Sequence, residues 1–158
     1  TLDPKQIDAD IAWALKPVGT NDSTSGDSEN IFSIRLEIER LMWAKGGLVR
    51  DGAGLQEALD ELAILSDKAE KAFVTPVKEY NPGWHEWLNV QSLLTVAQMT
   101  CQSALSRRES RGSHYRSDYP DQDEAEWLCN ILLRETPDGV PETWNEMVEL
   151  SRLQPELS

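Results

Sequence analysis

The sequence predicts an all-α fold in which three long amphipathic helices form an antiparallel bundle. Apolar residues recur at helical spacing over three stretches, from about 29 to 45, from Gly54 to Pro76 and from 84 to 106. Short turn signals, Gly46-Gly47 and Tyr80–Gly83, separate these stretches. Short connections between long helices favour antiparallel neighbours, which is why we expect a bundle.

Each helix has recognisable ends and one apolar stripe. A short first helix begins at Asp3-Pro4, where Asp3 can cap and Gln6 can complete a capping box, and ends at Lys16-Pro17. The stripes of the three long helices are predicted to be Ile31, Ile34, Ile38, Leu41 and Met42; then Leu55, Leu59, Leu62, Leu65 or Ile64, Ala69 and Phe73; then Trp84, Trp87, Leu88, Leu94, Ala97, Cys101 and Leu105.

The remaining segments are predicted to lie outside the bundle. Residues 17–28 are polar and rich in Gly, Ser and Asp, so we expect a flexible connector. Residues 123–130 form either a short helix or a run into a strand. Asn130–Arg134 and the turn signal Pro137–Gly139 predict a small hairpin, and Glu142–Leu153 forms either a closing helix or an extended tail. We expect one domain over 1–158, with 136–158 as a C-terminal extension.

Composition excludes several classes of function. The chain has 158 residues and a net charge of −13, which disfavours binding to nucleic acid or to an anionic membrane. A mimic of phosphate that binds a basic protein is an alternative interpretation of this charge.

No apolar run has membrane-spanning length. Cys101 and Cys129 have neither disulfide nor zinc spacing, so we expect two free thiols. The chain starts at Thr1 without methionine, and we expect a fragment of a longer protein.

The sequence carries no recognisable catalytic, cofactor or metal motif. It has no G-x-G-x-x-G loop and no Walker loop. His85 is expected at the surface of a helix start. Ser113 and His114 are adjacent in sequence, which does not generally bring a nucleophile and a base into catalytic geometry. The close acidic pairs are expected on solvated helix faces because 28 acidic residues make such pairs common by chance.

One segment stands apart from this acidic background. Residues 107–120 hold four of the 15 basic residues and one of the two histidines, where the third long helix ends. Arginines there complement the helix dipole, Gly112 can supply the positive φ that ends the helix, and Glu109 and Asp118 can accept bidentate bonds. We expect an internally paired arginine–carboxylate network that fixes a turn. An anion or partner site is the alternative.

The same segment resembles a known family. Glu109–Pro120, ESRGSHYRSDYP, is similar to the ESRGxHxRxDxP signature of the flavoprotein subunits of succinate dehydrogenases and fumarate reductases. Leu41–Arg50, LMWAKGGLVR, is similar to the family's LMxxxxGxxR stretch. The resemblance runs from about residue 30 to 135. L-aspartate oxidases and adenylylsulfate reductase flavoproteins are relatives, and the HxRxD form at 114–118 favours the dehydrogenase/reductase side.

The resemblance implies a spectrin-repeat-like helical C-terminal domain with no catalytic residue of its own. FAD would be held by a preceding domain, and this fragment is expected to bind no cofactor and no metal. Its partners would be that flavin domain and an iron–sulfur subunit, with a cytoplasmic location at the inner face of the membrane. The motif and interface residues it implies are Arg108, Glu109, Ser110, Arg111, Gly112, His114, Arg116, Asp118 and Pro120.

Two further functions stay open at this point. The alternatives to a succinate dehydrogenase/fumarate reductase-type domain are an L-aspartate oxidase-type flavoprotein domain and a stand-alone acidic helical module whose basic turn recognises an acidic partner. The sequence does not decide the direction of the reaction, the electron carrier or the exact substrate.

Overall fold

A computed structural model describes residues 3–18, 29–72, 74–136 and 141–149, and these residues form a mainly helical protein. Within them, the helices are α1 Pro4–Leu15, α2 Ile31–Lys45, α3 Gly52–Glu70, α4 Pro82–Ser106 and α5 Glu124–Trp127. The strands are β1 Val49–Arg50, β2 Tyr115–Arg116, β3 Cys129–Arg134 and β4 Glu142–Met147. The three long helices are therefore present where the apolar stripes predict them.

Side-chain caps fix where the helices begin. Asp3 accepts the main-chain N–H of Lys5 at 3.0 Å, as predicted for α1. Gln6 does not complete a capping box, since its amide donates to Asp10 instead. Asn30 caps α2 through the N–H of Phe32, and Asn81 caps α4 through the N–H of Trp84 at 3.0 Å.

Two predicted boundaries of α3 are wrong. The helix begins at Gly52, two residues before the expected Gly54, because Asp51 caps it through the Gly54 N–H at 2.8 Å and the distant Asp118 accepts the Gly52 N–H at 3.0 Å. It ends at Glu70 rather than near Pro76, and the chain turns at Lys71. The stripe prediction for Phe73 falls on a residue that lies outside the described part of the chain.

The all-α prediction is too narrow, because two small sheets accompany the helices. Strands β1 and β2 pair in parallel, with Val49 opposite Tyr115 and Arg50 opposite Arg116. Strands β3 and β4 form an antiparallel hairpin that runs from the pair Cys129–Met147 to the pair Arg134–Glu142. The hairpin confirms the extended alternative for residues 142–147. Its predicted turn at 137–139 lies outside the described residues, and β1–β2 had no sequence prediction.

The chain divides into two compact units. The first unit consists of Thr1–Arg40 and Glu61–Val96, and its buried apolar side chains include Ile34, Leu62, Trp87 and Val90. In this unit Trp13 and Trp87 pack with ring centroids 5.4 Å apart, and Val18, at the start of the predicted connector, forms a β-bridge with Val74. Residues 19–28 of that connector lie outside the described residues.

The second unit consists of Leu41–Asp60 and Ala97–Ser158, and its core is smaller in side-chain volume. Its buried apolar residues are Leu41, Leu55, Ala58, Ala97, Cys101, Ala104 and Cys129. Both cysteines are free thiols, as predicted. Small side chains such as Ala97 and Ala104 leave a limited apolar core in this unit, so polar contacts carry more of its organisation.

No helix in the described residues is long and apolar enough to span a membrane. Nor does any group of three or more His, Cys, Asp and Glu side chains in those residues come together as a metal site.

The indole of Trp87 provides a test of the first unit's core. Trp87 is 2% exposed and its Nε1 donates to the Ala69 carbonyl at 2.9 Å. Trp87→Phe removes the indole donor, so that the Ala69 carbonyl keeps the longer hydrogen bond from the Ala72 N–H at 3.3 Å, and it also removes part of the buried side chain. We therefore expect the free energy of unfolding in urea to fall by about 1–3 kcal/mol.

Trp43→Phe is the matched control, because Trp43 is 83% exposed. Its unfolding free energy should stay within about 0.5 kcal/mol of the parent. Equal losses for the two variants would contradict the assignment of Trp87 to the core.

Candidate functional site: the arginine segment

The residues between α4 and α5, 107–123, are here called the arginine segment. The chain leaves α4 at Ser106 and makes a tight turn in which Arg111 and His114 exchange main-chain hydrogen bonds of 2.8 and 2.9 Å. Gly112 lies in this turn with φ +58°, and a Cβ there would meet nothing within 4 Å. Glycine therefore serves the backbone conformation alone. The prediction that Gly112 ends the helix is wrong, since it lies six residues after Ser106.

Arg116 is the central charged group of the segment and is 2% exposed. Its Nη1 donates to the carbonyls of Ala104, Leu105 and Arg107 at 2.8, 3.2 and 3.1 Å. These are carbonyls at the C-terminal end of α4, which have no partner within the helix. The guanidinium therefore satisfies the end of α4 and places a positive charge at the negative end of its dipole.

Asp118 binds the remaining nitrogens of the Arg116 guanidinium. Its two carboxylate oxygens accept Nε and Nη2 of Arg116 at 2.8 and 2.7 Å, the predicted bidentate pair. Asp118 also accepts the N–H of Gly52, the first residue of α3. A Cβ at Gly52 would lie 3.1 Å from both Arg116 Nη2 and Asp118 Oδ2, so a side chain there would press on the pair.

The hydrogen bonds to Asp118 change its protonation behaviour. The Arg116 guanidinium, and then the Gly52 amide, lower the pKa of Asp118 from 3.8 to about 2. Asp118 thus remains a carboxylate well below neutral pH, and the pair that joins α4 to α3 in the second unit remains ionised.

Glu109 forms a second cluster and is 1% exposed. It accepts Arg107 Nη1 at 2.6 Å, Arg111 Nε at 2.9 Å and the Asp123 N–H at 2.8 Å. A second Arg111 contact, Nη2 to Oε2 at 3.2 Å, makes that pair bidentate as predicted. Burial alone would raise the pKa of Glu109, but the hydrogen bonds from Arg111, Asp123 and Arg107 outweigh it and lower the pKa.

The two arginines on Glu109 extend the cluster toward α5 and the hairpin. Arg107 donates to the carbonyls of Trp127 and Cys129 at 3.0 and 2.6 Å, and its guanidinium lies 5.6 Å from the Trp127 ring centroid. Arg111 reaches Glu124 at 3.3 Å. Arg107 thereby binds both the end of α5 and the start of β3.

Ser110 ties the segment together through its hydroxyl. The oxygen accepts the Arg116 N–H at 2.9 Å, and the hydroxyl donates to the Tyr119 carbonyl at 2.8 Å. The Ser110 N–H donates to the Asp121 carbonyl. Pro120, between those two carbonyl residues, is exposed. The hydroxyl thus closes the loop formed by residues 110–121.

His114 faces a different neighbour, Arg50, whose Nη1 lies 2.9 Å from Nδ1. Since arginine can only donate, Nδ1 accepts and the proton of the neutral ring is on Nε2. Burial and then the Arg50 charge lower the pKa of His114; a main-chain contact with Arg107 raises it, but does not reverse the shift. His114 Nε2 is buried and makes no hydrogen bond in the described part of the chain.

Several residues of the arginine segment are exposed to solvent. Arg108, Gly112, Ser113 and Tyr115 are exposed, and Arg108 forms no ion pair with any described residue. The other arginines of the segment are paired internally, which confirms the predicted network. Ser113 and His114 do not form a nucleophile–base pair, since His114 Nδ1 is already bound to Arg50. No motif or spacing in the sequence indicates that Arg50 is a neighbour of the segment.

The fold and the site together define a mainly helical domain organised around a paired arginine–carboxylate cluster. The family model described as fumarate reductase flavoprotein C-term matches residues 35–157. The chain belongs to this family of flavoprotein C-terminal regions.

Individual relatives agree with this membership. The chain is 37% identical over 100 residues to a fumarate reductase (CoM/CoB) protein of Methanothermobacter marburgensis, and the match covers 63% of this chain and 18% of the relative. It is 35% identical over 104 residues to the L-aspartate oxidase of Streptomyces coelicolor, covering 66% and 18%. The chain thus spans less than a fifth of these curated relatives.

A solved structure has the same fold. The apo Sdh1 complex of Mycobacterium smegmatis contains a chain that matches 97% of this one with a TM-score of 0.84 and 26% identity. This chain covers 26% of that protein. The same fold is therefore found within a longer chain of that complex.

The geometry of Arg116 predicts that lysine cannot replace it. A single ammonium cannot reach the α4 carbonyls and both Asp118 oxygens together, so Arg116→Lys should leave buried acceptors unpaired. We expect the free energy of unfolding in urea to fall by about 2–4 kcal/mol. Arg108→Lys, at an exposed position with no ion pair in the described residues, should change it by less than about 0.5 kcal/mol. Similar values for both variants would mean that the guanidinium fork is not needed.

The lowered pKa of Asp118 predicts an acid-dependent contribution to stability. A carboxylate with a folded-state pKa of about 2 and an ordinary value of 3.8 stabilises the fold above pH 3.8 and loses this effect as the pH falls toward 2. Asp118→Asn should lower the unfolding free energy at neutral pH and flatten its fall between these two pH values. Asp8→Asn is the control, because it makes the same change of charge at an exposed position and should leave the slope unchanged. If the unfolding free energy of Asp118→Asn fell with pH in parallel with that of the parent, the role of this carboxylate would be contradicted.

Proposed function

We propose that this chain is the C-terminal helical domain of an FAD-dependent oxidoreductase of the succinate dehydrogenase/fumarate reductase type. In this role it packs on the flavin domain through the arginine segment and helps dock the iron–sulfur subunit. The observation that carries the proposal is the family match over residues 35–157, which includes the whole arginine segment. The arrangement of α2, α3 and α4 as an antiparallel three-helix bundle belongs to the same proposal.

The structure suggests how the segment would serve as an interface. Its buried charges, Glu109 and Arg116, are fully occupied within the second unit and would position the turn rather than touch a partner. The exposed residues Gly112, Ser113 and Tyr115, the side chain of Arg108 and residues 117–122 remain for contact. A turn held by buried, hydrogen-bonded charges loses little further conformational entropy on docking, which favours its use as a contact surface.

The proposal assigns FAD and the reacting groups to the rest of the flavoprotein. This sequence has no glycine-rich loop for a dinucleotide pyrophosphate, and the two described clefts beside the arginine segment do not fit such a group. One is about 420 Å³ and presents one arginine that is not paired with a carboxylate, too few donors for two phosphates. The other is lined by Arg108 together with Asp123 and Glu126, whose carboxylates repel phosphate. When bound elsewhere in the full-length protein, FAD would carry the hydride between succinate and fumarate.

The location follows from the proposed partners. A domain of this kind would lie in the cytoplasm, held at the inner face of the membrane through its partner subunits. The iron–sulfur subunit would receive the electrons from the flavin.

The exposed turn gives the experiment that tests this role. Amide hydrogen exchange of a peptide spanning residues 112–115 is measured in this chain alone and in the polypeptide that its reading frame encodes when extended upstream. Packing on a flavin domain should slow the exchange in the longer polypeptide and leave it fast in the short one. The longer polypeptide should show flavin absorbance and oxidise succinate with an artificial electron acceptor.

Two controls make this result specific. Ser113→Trp places a large side chain on the turn and should restore fast exchange at 112–115, whereas Ser33→Trp, on the exposed surface of α2, should not. Tight, stoichiometric flavin binding by the short chain would overturn the assignment of roles. A reading frame that starts just before Thr1 would instead support a stand-alone interaction module.

An L-aspartate oxidase-type protein is the second candidate, favoured by the 35% identity to the Streptomyces coelicolor enzyme. The two candidates share this domain and differ in what the flavin domain oxidises. Turnover of L-aspartate but not succinate by the longer polypeptide would select the second.

A further inference from the structure

A cleft in the second unit lies beside the arginine segment. It has a volume of about 420 Å³, and its lining includes Arg50, Ser103, Arg107, His114 and Asn130. Its polar lining groups are cationic or neutral, Ala104 and Ile131 add apolar surface, and none of the lining residues carries a carboxylate. This is unusual in a chain with 28 acidic and 15 basic residues.

Arg50 is the charged group of the cleft that lacks a counter-ion. Its Nε donates to the Gly46 carbonyl at 3.1 Å and its Nη1 to His114 Nδ1 at 2.9 Å, and both acceptors are neutral. No carboxylate oxygen of a described residue lies within 4.0 Å of it. Arg107, by contrast, is already paired with Glu109. A half-buried guanidinium with only neutral acceptors retains its full charge and favours an anion.

The hydrogen bonds of Arg50 also fix the orientation of its guanidinium. The Gly46 carbonyl, just after the end of α2, and the His114 ring, in the turn of the arginine segment, hold two of its three nitrogens. Because the ring is neutral, it accepts the Arg50 proton without repelling the charge. His114 is thus a positioning residue for Arg50, and the third nitrogen, Nη2, makes no hydrogen bond with the described residues.

We propose that this cleft receives the carboxylate of an aspartate or glutamate side chain from the polypeptide on which the domain packs, with Arg50 as its charged contact. Arginine suits a carboxylate because the two planar groups match, and Ser103 and Asn130 add neutral polar groups. A side chain is favoured over a free anion since the net charge of −13 repels dissolved anions, whereas docking delivers a side chain directly. The inference rests on the proposed packing against a flavin domain.

The experiment again follows amide exchange at residues 112–115 in the longer polypeptide. Arg50→Gln leaves the partner carboxylate without its cation and should speed exchange about tenfold or more, because truncating one member of a buried charge pair weakens binding strongly. Arg108→Gln removes the same charge at an exposed position outside the cleft and should change the rate less than twofold. Arg50→Lys, which keeps the charge without the fork, should lie between them.

The outcomes separate the cleft proposal from the packing proposal. If the parent protein shows no slowed exchange in the longer polypeptide, the proposed packing itself fails. If the parent is protected and Arg50→Gln is equally protected, the packing stands and the cleft proposal is overturned. Circular dichroism of Arg50→Gln checks its folding, and Arg50→Lys supplies the comparison should that variant unfold.

A free ligand is the remaining alternative occupant. Sodium malonate is titrated into the short chain at constant ionic strength, with the imidazole proton signals of His114 as the readout. A saturable shift that Arg50→Gln abolishes, together with unchanged exchange in the longer Arg50→Gln polypeptide, would overturn the proposal in favour of a small dissolved carboxylate.

Discussion

The second unit depends on one ion pair that satisfies two helix ends at once. Arg116 donates to the last carbonyls of α4, and Asp118, held by the same guanidinium, accepts the first amide of α3. Unpaired carbonyls at one helix end and unpaired amides at another carry opposite partial charges. The guanidinium supplies donors for the carbonyls, and the carboxylate supplies an acceptor for the amide. The attraction between the two charged groups fixes the distance between the two helix ends.

This pair illustrates why burial of a charge is acceptable here. Removing an ion pair from water costs several kcal/mol per ion in general, and attraction alone rarely offsets that cost. Arg116 makes five hydrogen bonds, three to carbonyls and two to Asp118. Asp118 keeps about a third of its side-chain surface in solvent, which lowers its desolvation cost. Burial of this pair favours one conformation of the segment over others, since few other conformations supply all these hydrogen-bond partners together.

The sequence could predict the pairing within the arginine segment but not its distant partners. The bidentate pairs Arg111–Glu109 and Arg116–Asp118 join residues two apart, so local composition was enough. The Gly52 contact spans 66 positions and the Arg50–His114 contact spans 64, and no spacing rule links such positions. The start of α3 has both kinds of partner: Asp51, the preceding residue, accepts the Gly54 N–H at 2.8 Å, and the distant Asp118 accepts the Gly52 N–H at 3.0 Å.

The two small sheets differ in the same way, since the sequence predicts one of them and not the other. The hairpin was predictable because β3 has an apolar centre, Ile131–Leu133, and is followed by a turn signal. The parallel pair β1–β2 has two residues in each strand, which is too short for any alternation to be recognised. It forms because the arginine segment returns to the chain after α2, where Ser117 donates its N–H to the Arg50 carbonyl at 2.8 Å. Tertiary contacts, rather than strand propensity, therefore place these residues.

The distribution of charge separates two uses of arginine in this unit. Arg107, Arg111 and Arg116 are neutralised by carboxylates that lie within the same segment, and their interactions stabilise the fold. Arg50 and Arg108 have no such carboxylate among the described residues. Arg50 is half-buried beside one cleft, and Arg108 is exposed at the edge of another. A charge that the fold does not neutralise is available to a neighbour, and its attraction is felt over about one Debye length, roughly 8 Å in physiological salt. The proposed contact with another polypeptide would use the faces that carry Arg50 and Arg108, while the paired arginines determine how those faces are presented.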